Sequence, residues 1–155
     1  MTNGALHELF HDLVGTINGI SLMSQMCVQF IEMIKSEGSS GNCVKLREEA
    51  ASNFRNIGLY YERAHKELEM TIDALDGIKS ADIGDDLKNS VKGELDKVKG
   101  FISNSKDFNQ EIVKAVGGQD LSEFSRELGK IEPACNSMVT TINLSKKKLI
   151  EQGKY

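Results

Sequence analysis

His7-Glu8-Leu9-Phe10-His11-Asp12 places two histidines and two carboxylates within six residues. A neutral imidazole is an available nucleophile near neutral pH. The carboxylate of Asp12, directly after His11, would orient the ring or accept its proton during a transfer. Gly15 stands one helical turn beyond His11. Glycine inside a helix costs about 1 kcal/mol relative to alanine, so its presence needs a reason. One reason is clearance, since a missing side chain would open the surface beside the imidazole. Gly19, a turn further on, would extend the same groove. The competing reason is close packing of a neighbouring helix at Gly15 and Gly19. A histidine that accepts a phosphoryl group has to face water, have a group nearby to manage its proton, and leave room for another protein. This segment has the residues for all three.

The same residues also fit His-Glu-x-x-His, in which two imidazoles at i and i+4 hold zinc and the glutamate, here Glu8, acts as base. That chemistry needs a third ligand. The only other histidine is His65, inside a predicted helix, so a zinc ion would have to be completed by a distant carboxylate beside His7 and His11. No metal site is therefore expected.

These residues sit on the first of four predicted helices. Apolar spacing of three and four residues places them at about 4–35, 43–79, 85–116 and 120–152. The first stripe is Leu6, Phe10, Leu13, Ile17, Ile20, Ser24, Cys27, Ile31 and Ile34. The second is Leu46, Ala50, Phe54, Ile57, Tyr61, Ala64, Leu68, Ile72 and Leu75. The third runs from Leu87 through Val91, Leu95, Val98 and Ile102 to Ile112 and Val116, with either Phe108 or Asn109 facing inward. The fourth is Leu121, Phe124, Leu128, Ile131, Cys135, Met138, Ile142, Ser145 and Leu149, with Pro133 expected to bend the helix. Asp82 or Asp85 would cap the third helix. Long helices joined by short loops predict one all-α domain over 1–155, an antiparallel up-down four-helix bundle.

Composition narrows the function classes. The 155 residues carry a formal net charge of −4, and the one lysine run, Lys146-Lys147-Lys148, falls where cations suit a helix C-terminus. No basic footprint for nucleic acid is present. The apolar stretch Ile17 to Ile34 is interrupted by Asn18, Ser21, Ser24, Gln25, Gln29 and Glu32, which predicts an amphipathic helix rather than a membrane span. Cys27, Cys43 and Cys135 form no framework, and an odd count fits a reducing, cytoplasmic setting. Cys27 and Cys135 fall on core positions, while Cys43 lies near a loop.

The segment around His11 resembles the H-box of sensor histidine kinases: a histidine, an acid, a leucine, and apolar residues six and nine positions after the histidine, here His11, Asp12, Leu13, Ile17 and Ile20. It is also similar to the histidine-phosphotransfer signature, read here as His11, Asp12, Leu13, Val14, Gly15 and Thr16. Val14 stands where that signature has lysine, and Thr16 where the kinase pattern usually has proline. Gly15 replaces the asparagine or threonine associated with phosphatase activity. No ATP-binding domain follows, so the chain would not phosphorylate itself.

The resemblance implies a phosphocarrier of two-component signalling. His11 would take the phosphoryl group from a histidine kinase or a receiver-domain aspartate and pass it on, with Asp12 assisting the proton. Glu8, Val14, Gly15, Thr16, Asn18 and Leu22 would form the docking face: Gly15 gives clearance, Thr16 and Asn18 approach the phosphoryl group, and Val14 and Leu22 give apolar contacts. The chain would need no cofactor of its own, the Mg²⁺ being held by the receiver. Whether it is monomeric or a homodimer is left open. The alternative is a helical interaction protein without chemistry, including a degenerate phosphotransfer fold that only binds a partner.

Overall fold

Each helix has one apolar face to bury, and the chain buries all four against each other. The computed structural model describes residues 3–37, 41–79, 83–115 and 126–152. Among them the structure is all-helical: α1 (Asn3–Glu37), α2 (Gly41–Asp76), α3 (Asp85–Ala115) and α4 (Ile131–Gln152). α1 packs on α2 and α4, and α3 closes the ring by packing on the same two helices. Cross-helix contacts fix the alternating direction. The start of α1 lies beside the end of α2 (Thr16 with Glu67) and the end of α4 (His7 with Lys146). The start of α3 lies beside the end of α2 (Lys92 with Asp76).

The core is one continuous cluster drawn from every helix, and the predicted stripes supply most of it. Leu13, Ile17, Phe54, Leu68, Leu95, Ile102, Ile142 and Leu149 are fully buried. Burial of such a side chain contributes about 1.5–3 kcal/mol relative to exposure. Midway along the bundle the layer is polar. Ser24 and Cys27 of α1, Tyr61 of α2, Ser105 of α3 and Cys135 of α4 meet there, and removal from water pushes the Tyr61 phenol up. The Ser24 and Tyr61 hydroxyls are buried without a hydrogen-bond partner.

Several sequence expectations are corrected. α2 stops at Asp76 instead of 79, in a turn where the Gly77 and Ile78 amides donate to the Asp73 and Leu75 carbonyls at 3.1 Å. The Lys88 ammonium donates to the Asp76 and Ile78 carbonyls at 3.2 and 2.5 Å, satisfying acceptors that a helix end leaves open. At the start of α3 the flanking residue is Gly84, whose φ of 74° suits glycine and whose carbonyl accepts from the Lys88 amide at 3.2 Å. Asp85 is thus a first-turn residue with Asp86, where negative charge suits the helix dipole; Asp82 lies outside the described residues.

The fourth helix is divided. Residues 126–128 are helical, 129–130 form a turn, and α4 begins at Ile131. Pro133 therefore sits in the first turn, where its missing amide hydrogen costs nothing, and causes no mid-helix bend. Leu121 and Phe124 lie outside the described residues, as does Val116. Thr71 is fully buried in place of Ile72, which is half-buried, as is Leu46. The third-helix alternative resolves to Asn109, whose buried side-chain amide donates to the Phe54 carbonyl of α2 at 2.8 Å.

Candidate functional site

The core stripe of α1 faces α2, α3 and α4, which turns the opposite side of the helix to water. Taking 100° per residue from the buried positions, His11, Gly15, Asn18 and Leu22 fall along the middle of that outer side. All four are exposed, Leu22 at 63%. Glu8 and Asp12 are exposed toward one flank, and His7 toward the other, where α4 lies. The structure thus brings His7, Glu8, His11, Asp12, Gly15, Asn18 and Leu22 onto one accessible face.

The two glycines have different reasons for being there. A Cβ built on Gly15 meets nothing within 4 Å, so no helix packs against it and the space beside His11 is open. A Cβ on Gly19 would lie 2.9 Å from Tyr60 Cε1 on α2, so Gly19 is the close-packing residue.

Two of the expected docking residues are placed differently from the rest. Thr16 is 3% exposed, and its hydroxyl points at α2, 2.5 Å from Glu67 Oε1 and 3.0 Å from the Asp12 carbonyl in its own helix. It is therefore not available to an incoming phosphoryl group. Val14 is half-buried against the core. Asp12 diverges from His11, because consecutive helical residues do not face each other. Among the described residues no hydrogen bond joins the Asp12 carboxylate or the His11 imidazole to another group.

Sequence reasoning missed three contributions to this region. Lys146 of α4 brings its ammonium to 3.5 Å from His7 Nε2, the outer edge of hydrogen-bond reach. Glu67 of α2 accepts from Thr16 and, at 3.0 Å, from Arg63 Nε, while its second carboxylate oxygen is buried without a partner. Met26 and Met33, each 49% exposed, continue the apolar surface begun by Leu22. The methionines had a signal in the sequence, a second apolar series at Leu22, Met26 and Met33 parallel to the core stripe. Lys146 and Glu67 had none, since separate helices supply them.

Among the described residues no three His, Cys, Asp or Glu side chains converge as a metal would require. His65 lies on α2, 3.0 Å from Glu69, its neighbour one turn on. Burial pushes the Cys27 and Cys135 thiols up to about 12, which keeps both protonated and poor as nucleophiles or ligands. The side chain of Cys43 lies outside the described ones.

A groove between α2 and α3, lined by Arg55, Leu59, Val113 and Lys114, contains none of the site residues predicted from sequence. No helix among the described residues is long and apolar enough to cross a membrane. Comparison with known proteins finds no family model, no curated protein and no solved structure that matches the chain.

Proposed function

We propose that this chain is a histidine phosphocarrier of a two-component relay, with His11 as the phosphoacceptor. The observation that carries the reading is the open, solvent-facing position of His11 beside Gly15, where a side chain would meet no other atom. A nucleophile that must enter another protein's active site needs that clearance. A ring nitrogen of neutral His11 attacks the phosphorus of a receiver-domain aspartyl phosphate. The N–P bond forms, the P–O bond breaks, and the electron pair leaves on the receiver carboxylate. The other ring nitrogen then carries a proton on a cationic ring, which Glu8 and Asp12 can balance or remove through water. The receiver supplies Mg²⁺ and most of the catalytic groups, and a histidine kinase is the upstream source. Leu22, Met26 and Met33 give an apolar strip below the histidine for the docking partner. Cys27 and Cys135 as free buried thiols support a reducing, cytoplasmic setting.

The test is intact-mass measurement after mixing the protein with phosphorylated receiver domains and Mg²⁺, alongside His11→Gln. An acid-labile phosphate adduct on the wild type alone is expected; an adduct on His11→Gln overturns the assignment.

A second reading has its own observation. Leu22, Met26 and Met33 on α1, with Val44 and Leu59 on α2, are large apolar side chains about half or more exposed. A bundle that only binds another protein presents such surfaces without any chemistry. Failure of every phosphodonor, together with retained partner binding by His11→Gln, would favour it.

A further inference from the structure

Lys146 lies 139 residues from His7 in sequence, yet the fold sets its ammonium 3.5 Å from His7 Nε2. Lysine can only donate, so in this contact Nε2 of His7 accepts, with its ring hydrogen on the other nitrogen. His11 is one turn further along the same exposed side of α1, a rise of about 6 Å.

The charges of that face raise a problem that Lys146 answers. A phosphoryl group on nitrogen carries close to two negative charges. The α1 residues nearest His11 along the helix are His7, Glu8, Val14 and Gly15, with Asp12 adjoining. Two of these are carboxylates and none is a cation. Arg63 of α2, a described cation beside this half of α1, is already held by Glu67 at 3.0 Å. Lys146 is half-buried and carries its charge on a flexible four-carbon chain, long enough to swing toward the next turn of α1.

We propose that Lys146 and His7 form an anion subsite beside His11 that receives the dianionic phosphoryl group. This rests on the phosphocarrier reading for its biological use, although the site itself is a property of the α1–α4 seam. The ammonium leaves His7 for the phosphoryl oxygens as the N–P bond forms and the P–O bond of the donor breaks. His7 then donates to the same oxygens through a protonated ring nitrogen. Lys146 is a positioning and charge-balancing residue, and it does not exchange a proton with the reacting atoms.

Two measurements test it. In the first, inorganic phosphate is titrated into the protein and the imidazole signals of His7 and His11 are followed by NMR. In the second, phosphoramidate, a small phosphodonor that needs no partner protein, is added and the phosphohistidine adduct is timed by intact mass. The variants are Lys146→Gln, Lys146→Arg, Arg63→Gln and His11→Gln.

Phosphate is expected to move both imidazole signals in the wild type and in Arg63→Gln, but not in Lys146→Gln. Adduct formation is expected to slow about threefold to tenfold in Lys146→Gln at low salt, to be largely restored in Lys146→Arg, and to converge with the wild type as salt rises. Equal phosphate response and equal rates in Lys146→Gln and wild type overturn the subsite while leaving the carrier reading intact. A phosphate response that depends on Lys146, with no adduct on any form, supports the subsite and removes the carrier reading.

Discussion

Thr16 Oγ1 on α1 and Glu67 Oε1 on α2 lie 2.5 Å apart, a hydrogen bond across the seam between the two helices on the side of α1 turned away from His11. Thr16 is buried, and Glu67 keeps its second oxygen buried and unpartnered. A half-buried carboxylate with one oxygen unsatisfied depends on the bonds it does have. Its other partner, Arg63, has a side chain 66% exposed, so that ion pair contributes little. Thr16→Val should therefore cost about 1–3 kcal/mol of unfolding free energy, and Thr16→Ser, which keeps the hydroxyl and loses one buried methyl, about 1 kcal/mol or less. The double variant Thr16→Val with Glu67→Leu should recover most of the loss, because both polar groups are then gone. Urea unfolding of these variants, with Glu67→Leu alone to complete the cycle, checks this. A double variant as weak as the sum of the singles would mean that the two residues act independently.

Gly15 and Gly19 sit one turn apart in the same helix but should respond oppositely to alanine. Alanine at either position gains about 0.5–1 kcal/mol from helix propensity and a less flexible unfolded chain. At Gly15 nothing opposes the gain, since the added Cβ meets no atom within 4 Å. At Gly19 the Cβ would come within 2.9 Å of the Tyr60 ring, which has to move. Gly15→Ala should raise the urea midpoint, and Gly19→Ala should fall below Gly15→Ala by about 1 kcal/mol or more. Equal stabilisation by the two substitutions would show that Tyr60 yields freely.

The bundle was legible because three- and four-residue apolar spacing is a property of one helix at a time. Leu13, Ile17, Phe54, Leu95 and Ile142 could be placed without knowing what they touch. Places where two adjacent residues compete were not legible. Asn109 takes the core position over Phe108 because its amide meets the Phe54 carbonyl, a partner 55 residues away. Thr71 displaces Ile72 because a stripe counted by threes and fours drifts against 3.6 residues per turn. Pro133 could be read as a bend, when the structure starts the helix late enough to need none. The candidate site divides in the same way. His11, Gly15, Asn18 and Leu22 share one helix and were found together. Val14 and Thr16 belong to the same stretch of sequence, but a neighbouring turn of the wheel carries them inward. Lys146 and Glu67 reach the site only through tertiary packing.

The mid-bundle thiols give a signed dependence on pH. Burial raises Cys27 and Cys135 from 9.0 to about 12 in the folded chain. In the unfolded chain both deprotonate near the ordinary thiol value, so between about 9 and 12 the unfolded state binds fewer protons. Their contribution to stability is complete below about pH 9 and is lost progressively as pH rises to about 12. Tyr61, also raised by burial, adds loss in the same direction at the alkaline end. The urea midpoint should hold from pH 7 to 8.5 and fall from pH 9 to 10.5. Peptide mapping after alkylation at pH 8 should find Cys27 and Cys135 unmodified in the native protein and modified in urea. Rapid native labelling of either would mean that the bundle opens locally at that layer.

Gly15→Leu separates clearance from packing at the proposed phosphoacceptor. A leucine side chain there would project into open space one turn from His11, on the face that a receiver domain would cover in the proposed relay. Because no helix contacts that position, the fold should keep its helicity and, as with alanine, gain up to about 1 kcal/mol of stability. Transfer from a phosphorylated receiver should nevertheless fall about a hundredfold, since displacement of the reacting atoms by an ångström is enough for such a loss. Phosphorylation by phosphoramidate, which is small enough to pass the leucine, should fall far less. That contrast assigns the effect to the approach of a protein rather than to damage at His11. Equal losses with both donors would place the fault in the imidazole itself. Unchanged transfer from the receiver would leave Gly15 without a part in docking, and the open space beside His11 would need another explanation.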